Sequence, residues 1–217
     1  MKKEDQKYIY IAICMLTGFV LWTAAICFVD VSDIGPQKST VGFSTINKFI
    51  HNLTGVHMSL YRITDWLGLV PIGFAIGFAV LGLLQWIRRK HLLKVDHSIL
   101  ALGGFYVVVI AVYALFEVVV VNYRPVLIEG YLEASYPSST TVLVLCVMPT
   151  AMMQFNARIK NGVLKKCIAF AIITYIVFMV IGRLVSGVHW VTDIVGGALL
   201  SAGLVIMYFS VSKLDAY

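Results

Sequence analysis

Charge is scarce in this 217-residue chain: 13% of its residues are Asp, Glu, Lys or Arg, while 60% are hydrophobic. A soluble domain carries a charged shell of about 25%, so an ordinary soluble fold is excluded and the apolar residues must face something other than water. Cysteine is equally sparse. Cys14, Cys27, Cys146 and Cys167 fall inside apolar runs without paired spacing, which argues against both a disulfide framework and a thiolate metal site. No metal and no other cofactor is expected. The chain also lacks a low-complexity tract, a convincing internal repeat and any stretch polar enough for a soluble domain. A small-residue cleavage site is missing before Asp30 and Asp33, and the first apolar run is too long for a signal-peptide core, so that run reads as a membrane helix.

What is present is a series of apolar blocks, each near the roughly 20 residues needed to cross a hydrocarbon layer of about 30 Å. They run from Tyr8 to Val29, Trp66 to Ile87, Ile99 to Val121, Pro137 to Phe155, Cys167 to Val185 and Trp190 to Val211. The expected fold is therefore an all-α polytopic membrane protein of about six spans, forming a single transmembrane domain over residues 1–217.

Six spans put both termini on one side. Lys2, Lys3, Lys7, Arg88, Arg89, Lys90, Lys94, Arg158, Lys160, Lys165, Lys166 and Lys213 lie on that side, twelve of the 17 basic residues. Lys38, Lys48, Arg62, Arg124 and Arg183 lie on the other. The positive-inside rule makes the termini cytoplasmic and puts Arg124 and Arg183 outside an inner or plasma membrane. The net charge of +6 is thus mainly a topology signal, and nothing in it favours nucleic acid.

One long outer loop runs from Val31 to Asp65. In it Ile46, Phe49, Ile50, Leu53, Leu60 and Ile63 recur at helical spacing, which predicts an amphipathic interfacial helix. His51, Asn52, His57 and Arg62 are its polar positions. Such a helix either caps a lipid-facing cavity or simply lies on the surface.

The outer face gathers three polar groups: Asn122-Tyr123-Arg124-Pro125, then Tyr136-Pro137-Ser138-Ser139-Thr140-Thr141, then Gly182-Arg183 with His189 and Asp193 beyond. Taken singly, these are ordinary: arginines snorkel at span ends, and Pro-Ser-Ser-Thr starts helices. Together they describe an anion site. Two guanidiniums can clamp phosphoryl oxygens, and the amides of Ser138, Ser139 and Thr140 at a helix N-terminus attract the same charge. His189 and Asp193 are four apart, so on a helix the carboxylate would orient the imidazole and free its second nitrogen for attack on phosphorus.

In these residues the chain resembles the type 2 phosphatidic acid phosphatase superfamily of integral-membrane lipid phosphatases. Arg124-Pro125, Pro137-Ser138, Arg183, His189 and Asp193 match that family's three motifs in order. The resemblance implies a metal-independent hydrolase working through a phosphohistidine at His189 on the extracytoplasmic face. Asp193 would orient the histidine, and Arg124, Arg183, Ser138, Ser139 and Thr140 would hold the phosphoryl group. The expected partner is a lipid phosphate or diphosphate, such as a polyprenyl diphosphate; the oligomeric state is left open.

The departures are Glu117 for the family's first-motif lysine, Ser139 for its second-motif glycine, Thr140 for its second-motif histidine, and Gly182 for a serine. That histidine is the family's leaving-group acid, and threonine cannot replace it near neutral pH. Glu117, raised by desolvation, is a possible substitute acid; alternatively it pairs with Arg124, two helical turns on, or with Arg183. His51 and His57 are the other outer histidines. The competing expectation is a non-catalytic lipid-phosphate binder or carrier that kept the anion site and lost turnover.

Overall fold

Backbone amides that sit among lipid tails must be satisfied within their own segment, so long apolar runs resolve into helices. The computed structural model describes residues 3–214, with side chains over 6–212; Lys2 and the side chains of Lys3 and Lys213 lie outside the described residues. Among those residues there are eight α-helices and no strand. They are α1 (Lys3–Phe28), α2 (Ser44–Thr54), α3 (Met58–Leu67), α4 (Leu69–Arg89), α5 (His97–Val118), α6 (Ser139–Arg158), α7 (Gly162–Val185) and α8 (Val191–Leu214). Six stretches are long and apolar enough to cross a membrane, with α3 and α4 counted together as Met58–Arg89. The chain is thus an all-α polytopic membrane protein.

Boundaries move for local reasons. Helix α7 starts at Gly162 rather than near Cys167, because the Asn161 side chain caps it, accepting from the amides of Val163 (2.9 Å) and Leu164 (3.1 Å). Helix α5 stops at Val118, short of Val121. The single amphipathic helix expected across residues 46–63 is two helices, broken at Gly55, whose φ of 70° suits glycine. The faces of α2 are also informative. Ile46, Phe49 and Leu53 are exposed, whereas Asn47 is buried and donates to Gly42 O (2.8 Å) and Thr192 Oγ1 (3.0 Å). The apolar face of α2 therefore looks away from the protein, as an interfacial helix requires. Asp30 anchors its start, accepting from Thr45 N (2.7 Å) and Ser44 Oγ (2.9 Å). The Thr45 amide, then the hydroxyls, hold the Asp30 carboxyl below its usual range.

Helices α6 and α8 form the middle of the bundle. In their most apolar windows 56% and 44% of residues are buried, against 17–22% for the other four spans. In a bilayer such packing is driven by close contact rather than by water release. Tyr136 illustrates it: its ring stacks on Phe19 at 6.1 Å, meets Phe116 edge-on, and bonds Thr23 Oγ1 through its hydroxyl at 2.7 Å. Successive spans alternate in direction, so the C-terminal ends of α1, α5 and α7 share one end of the bundle with the N-terminal ends of α4, α6 and α8. At the opposite end Asp96 pairs with Arg89 (2.9 Å) and Arg158 (3.7 Å).

Candidate active site

Arg124 reaches the site from the connection between α5 and α6. That segment folds back on itself, with Arg124 N donating to Glu133 O (3.0 Å) and Ser135 N to Asn122 O (2.9 Å). The Trp190 indole pins it by donating to Tyr123 O at 2.7 Å. The Arg124 guanidinium is nearly buried; its Nε lies 3.1 Å from Glu133 Oε2, and its Nη1 has no hydrogen-bond partner.

Arg183 arrives on the last turn of α7 and is 1% exposed. Its Nη2 donates to Thr140 Oγ1 at 2.6 Å and lies 3.5 Å from Asp65 Oδ1, and its Nη1 lies 3.4 Å from Thr64 Oγ1. Its Nε is unpartnered. Both guanidiniums sit over the ring of Tyr61, Arg183 at 4.9 Å and Arg124 at 5.8 Å from its centre. Two like charges sharing one aromatic ring leave a region that an anion would stabilise. The departure at Gly182 has a steric reason here, because a Cβ at that position would come 2.8 Å from Thr64 Cγ2. Glycine lets α3 approach and deliver Thr64 and Asp65 to Arg183.

His189 sits in the turn before α8 rather than on the helix. Gly187, with φ of 69°, sets that turn, and a Cβ there would lie 2.0 Å from Gly55 O, so no other residue fits without displacing the α2–α3 corner. His57 N donates to Ser186 O at 2.9 Å, reinforcing the junction. The His189 ring is 3% exposed and neither nitrogen has a hydrogen-bond partner. Its Nδ1 lies 3.6 Å from Asp193 Oδ2, an ion-pair distance beyond hydrogen-bond reach. Burial, then the charges of Arg124 and Arg183, hold the imidazole well below its ordinary value, so it is neutral at physiological pH with its ring lone pair free. Asp193 is fully buried and held by Trp190 N (2.9 Å to Oδ2) and Asn122 Nδ2 (3.5 Å to Oδ1).

The start of α6 is arranged differently from the sequence expectation. Ser138 is the residue before the helix, and its amide donates to Asp193 O at 3.2 Å. Its hydroxyl accepts from Thr141 at 3.0 Å. Ser138 thus ties α6 to α8 instead of offering its amide to a ligand. The next amides, of Ser139, Thr140 and Thr141, have no intrahelical acceptor by geometry.

Ser139, Thr140 and His189 line a cavity of about 800 Å³ that continues between α4 and α5 past Leu69, Ile72, Val109 and Val147. A second cavity of about 420 Å³ shares Ala75, Ala79, Gly103 and Tyr106 with it and ends at Trp86 and Leu92. The apolar path therefore leads from His189 most of the way along α4.

Glu117 lines the same cavity but does not pair with either arginine. Its helix ends one residue later at Val118, so the two-turn register to Arg124 does not exist. The carboxylates beside the arginines are Glu133 and Asp65. His51 and His57 are elsewhere, on the carbonyls of Gly187 (3.2 Å) and Thr54 (2.9 Å). The site residues missed in the sequence are Tyr61, Thr64 and Asp65. Their i, i+3, i+4 spacing marks one polar face of α3, opposite Ile63, and could have revealed them. Among the described residues no group of three or more His, Cys, Asp or Glu side chains could hold a metal ion.

Comparison with known proteins adds an independent line. The family model described as the PAP2 superfamily matches residues 96–214, more than half of the chain. A solved structure, the "first transmembrane PAP2 type phosphatidylglycerolphosphate phosphatase from Bacillus subtilis", superposes with a TM-score of 0.55, covering 95% of this chain and 96% of that one at 19% identity. No curated protein matches the sequence.

Proposed function

The chain belongs to the PAP2 superfamily, and from that premise we propose that it is a metal-independent lipid phosphatase or diphosphatase whose nucleophile is His189. The observation that carries this reading is a set of buried, unpartnered polar atoms: Arg124 Nη1 and Arg183 Nε, on guanidiniums that share the Tyr61 ring, and both nitrogens of His189, which lines the cavity. Buried donors are normally satisfied. Here a phosphoryl group would satisfy them, with the arginines taking its oxygens and the imidazole meeting phosphorus. With Nδ1 toward Asp193, Nε2 is the attacking atom. The P–Nε2 bond forms as the bond to the leaving oxygen breaks, and water then releases inorganic phosphate and restores neutral His189. Asp193 stabilises the cationic imidazole of the intermediate. Ser139 and Thr140 line the mouth, where their amides support the same anion.

The apolar path beyond the mouth supports a lipid as substrate, because it offers a hydrocarbon chain continuous contact from the headgroup site into the bilayer. Thr140 supports a diphosphate rather than a simple ester, since it supplies no acid for an alkoxide leaving group. It equally supports the competing reading, a binder without turnover. Purified protein should release phosphate from a polyprenyl diphosphate and little from phosphatidic acid. No release from any member of a panel of polyprenyl and glycerolipid phosphates would leave the binder.

The orientation we propose has cytoplasmic termini and an extracytoplasmic site, because the basic residues cluster at the end opposite His189. Single cysteines replacing Thr140 or Lys160 should then differ toward an impermeant thiol reagent in intact cells, with position 140 labelled in the presence of a permeabilising agent or without it, and position 160 only after permeabilisation. The reverse pattern would invert the topology.

A further inference from the structure

Hydrolysis of a phosphohistidine needs a group to take the proton of the attacking water, and neither His189 nor the fully buried Asp193 is available for it. Thr140, which occupies the cavity mouth, accepts from Arg183 and is not a base at neutral pH. Among the described residues, the carboxylates that line the cavity with His189 are Asp65 and Glu117. They are not equivalent. Glu117 makes no contact with the arginine clamp, whereas Asp65 Oδ1 and Thr140 Oγ1 lie within 3.5 Å and 2.6 Å of the same atom, Arg183 Nη2. A phosphoryl group held by Arg183 is therefore held beside Asp65. The Asp65 side chain is also 58% exposed, so it keeps a route for protons to solvent.

We propose that Asp65 on α3 is the general base of the second half-reaction, the hydrolysis of phosphohistidine 189. This rests on the phosphatase reading above. The carboxylate removes a proton from water as the water oxygen bonds to phosphorus. The P–Nε2 bond breaks, its electron pair returns to the imidazole, and inorganic phosphate leaves. The proton on Asp65 then passes to solvent. In this role Asp65 takes a proton from water and supplies none to an alkoxide leaving group, which agrees with a preference for diphosphates over simple esters.

The test uses the full-length protein in lipid nanodiscs and a polyprenyl diphosphate labelled in its terminal phosphate. Asp65→Asn should lower steady-state turnover by about 10²-fold or more, while the first turnover still releases lipid monophosphate quickly and the label stays on the protein, alkali-stable and acid-labile. Asp65→Glu should restore part of the turnover and remove most of the trapped label. Thr64→Val, which loosens Arg183 but keeps the carboxylate, should raise KM without trapping label. Three results overturn the inference while leaving the phosphatase intact: turnover unchanged in Asp65→Asn, a slowed first turnover with no trapped label, or label trapped in Glu117→Gln instead. If the wild type neither turns over nor takes up label, the phosphatase reading itself fails and the inference falls with it.

Discussion

His189→Ala should abolish phosphate release, by roughly 10⁴-fold or more, the scale on which loss of a covalent nucleophile acts. Binding of the lipid phosphate should persist, because the two guanidiniums and the α6 amides remain. The argument is one of division of labour. Arg183 touches Thr140, Thr64 and Asp65 and shares the Tyr61 ring with Arg124. Its contacts serve the ground state as well as the transition state, so Arg183→Ala should raise KM and lower kcat/KM together. His189 contributes only when a bond forms to phosphorus. Loss of kcat with preserved binding in the histidine variant, set against loss of both in the arginine variant, is the signature of a nucleophile beside an anion clamp. Equal turnover in His189→Ala and wild type would remove the phosphohistidine from the scheme, whatever the protein binds.

Thr140→His should raise activity on monophosphate esters such as phosphatidic acid by about 10²-fold or more, and activity on diphosphates much less, since a positioned acid is worth roughly 10²–10⁴-fold only where the leaving oxygen needs a proton. Thr140 lines the cavity of about 800 Å³, which gives a larger side chain space to enter. The cost is the 2.6 Å contact to Arg183, which an imidazole nitrogen can replace as acceptor only while neutral. Matched assays on one ester and one diphosphate measure the ratio directly. A wild-type protein that cleaves phosphatidic acid as fast as a matched diphosphate would refute the preference, and an unchanged ratio in Thr140→His would show that the missing acid is not what sets it.

The membrane class was legible in the sequence because the bilayer imposes lengths on apolar runs. Five of the six spans begin and end within about five residues of their expected places, the Asn161 cap accounting for the early start of α7, whereas the second reaches back from Trp66 to Met58 because α3 runs on into α4. The candidate site was legible as far as it rests on short motifs: Arg124, Arg183, Thr140, His189 and Asp193 converge at one end of the bundle. Three features depended on tertiary contacts that sequence spacing does not encode. Ser138 turns its amide to the Asp193 carbonyl. Glu117 loses its register to Arg124 because α5 ends first. Tyr61, Thr64 and Asp65 join the site only because Gly182 admits α3 against α7. The polar face of α3 was visible as spacing, but its destination was not, since the pattern fits a surface helix equally well.

Gly68 separates α3 from α4 while remaining in helical conformation, so the wall that carries Tyr61, Thr64 and Asp65 continues into a membrane span, the whole running from Met58 to Arg89. A span answers a change in bilayer thickness by tilting. Tilt of α4 is therefore transmitted, through a near-continuous rod, to the residues that hold Arg183. The proposed clamp at Arg183 is in this sense mounted on a lever whose long arm lies in the hydrocarbon, so its geometry would be referenced to the membrane around it as much as to the other helices of the bundle.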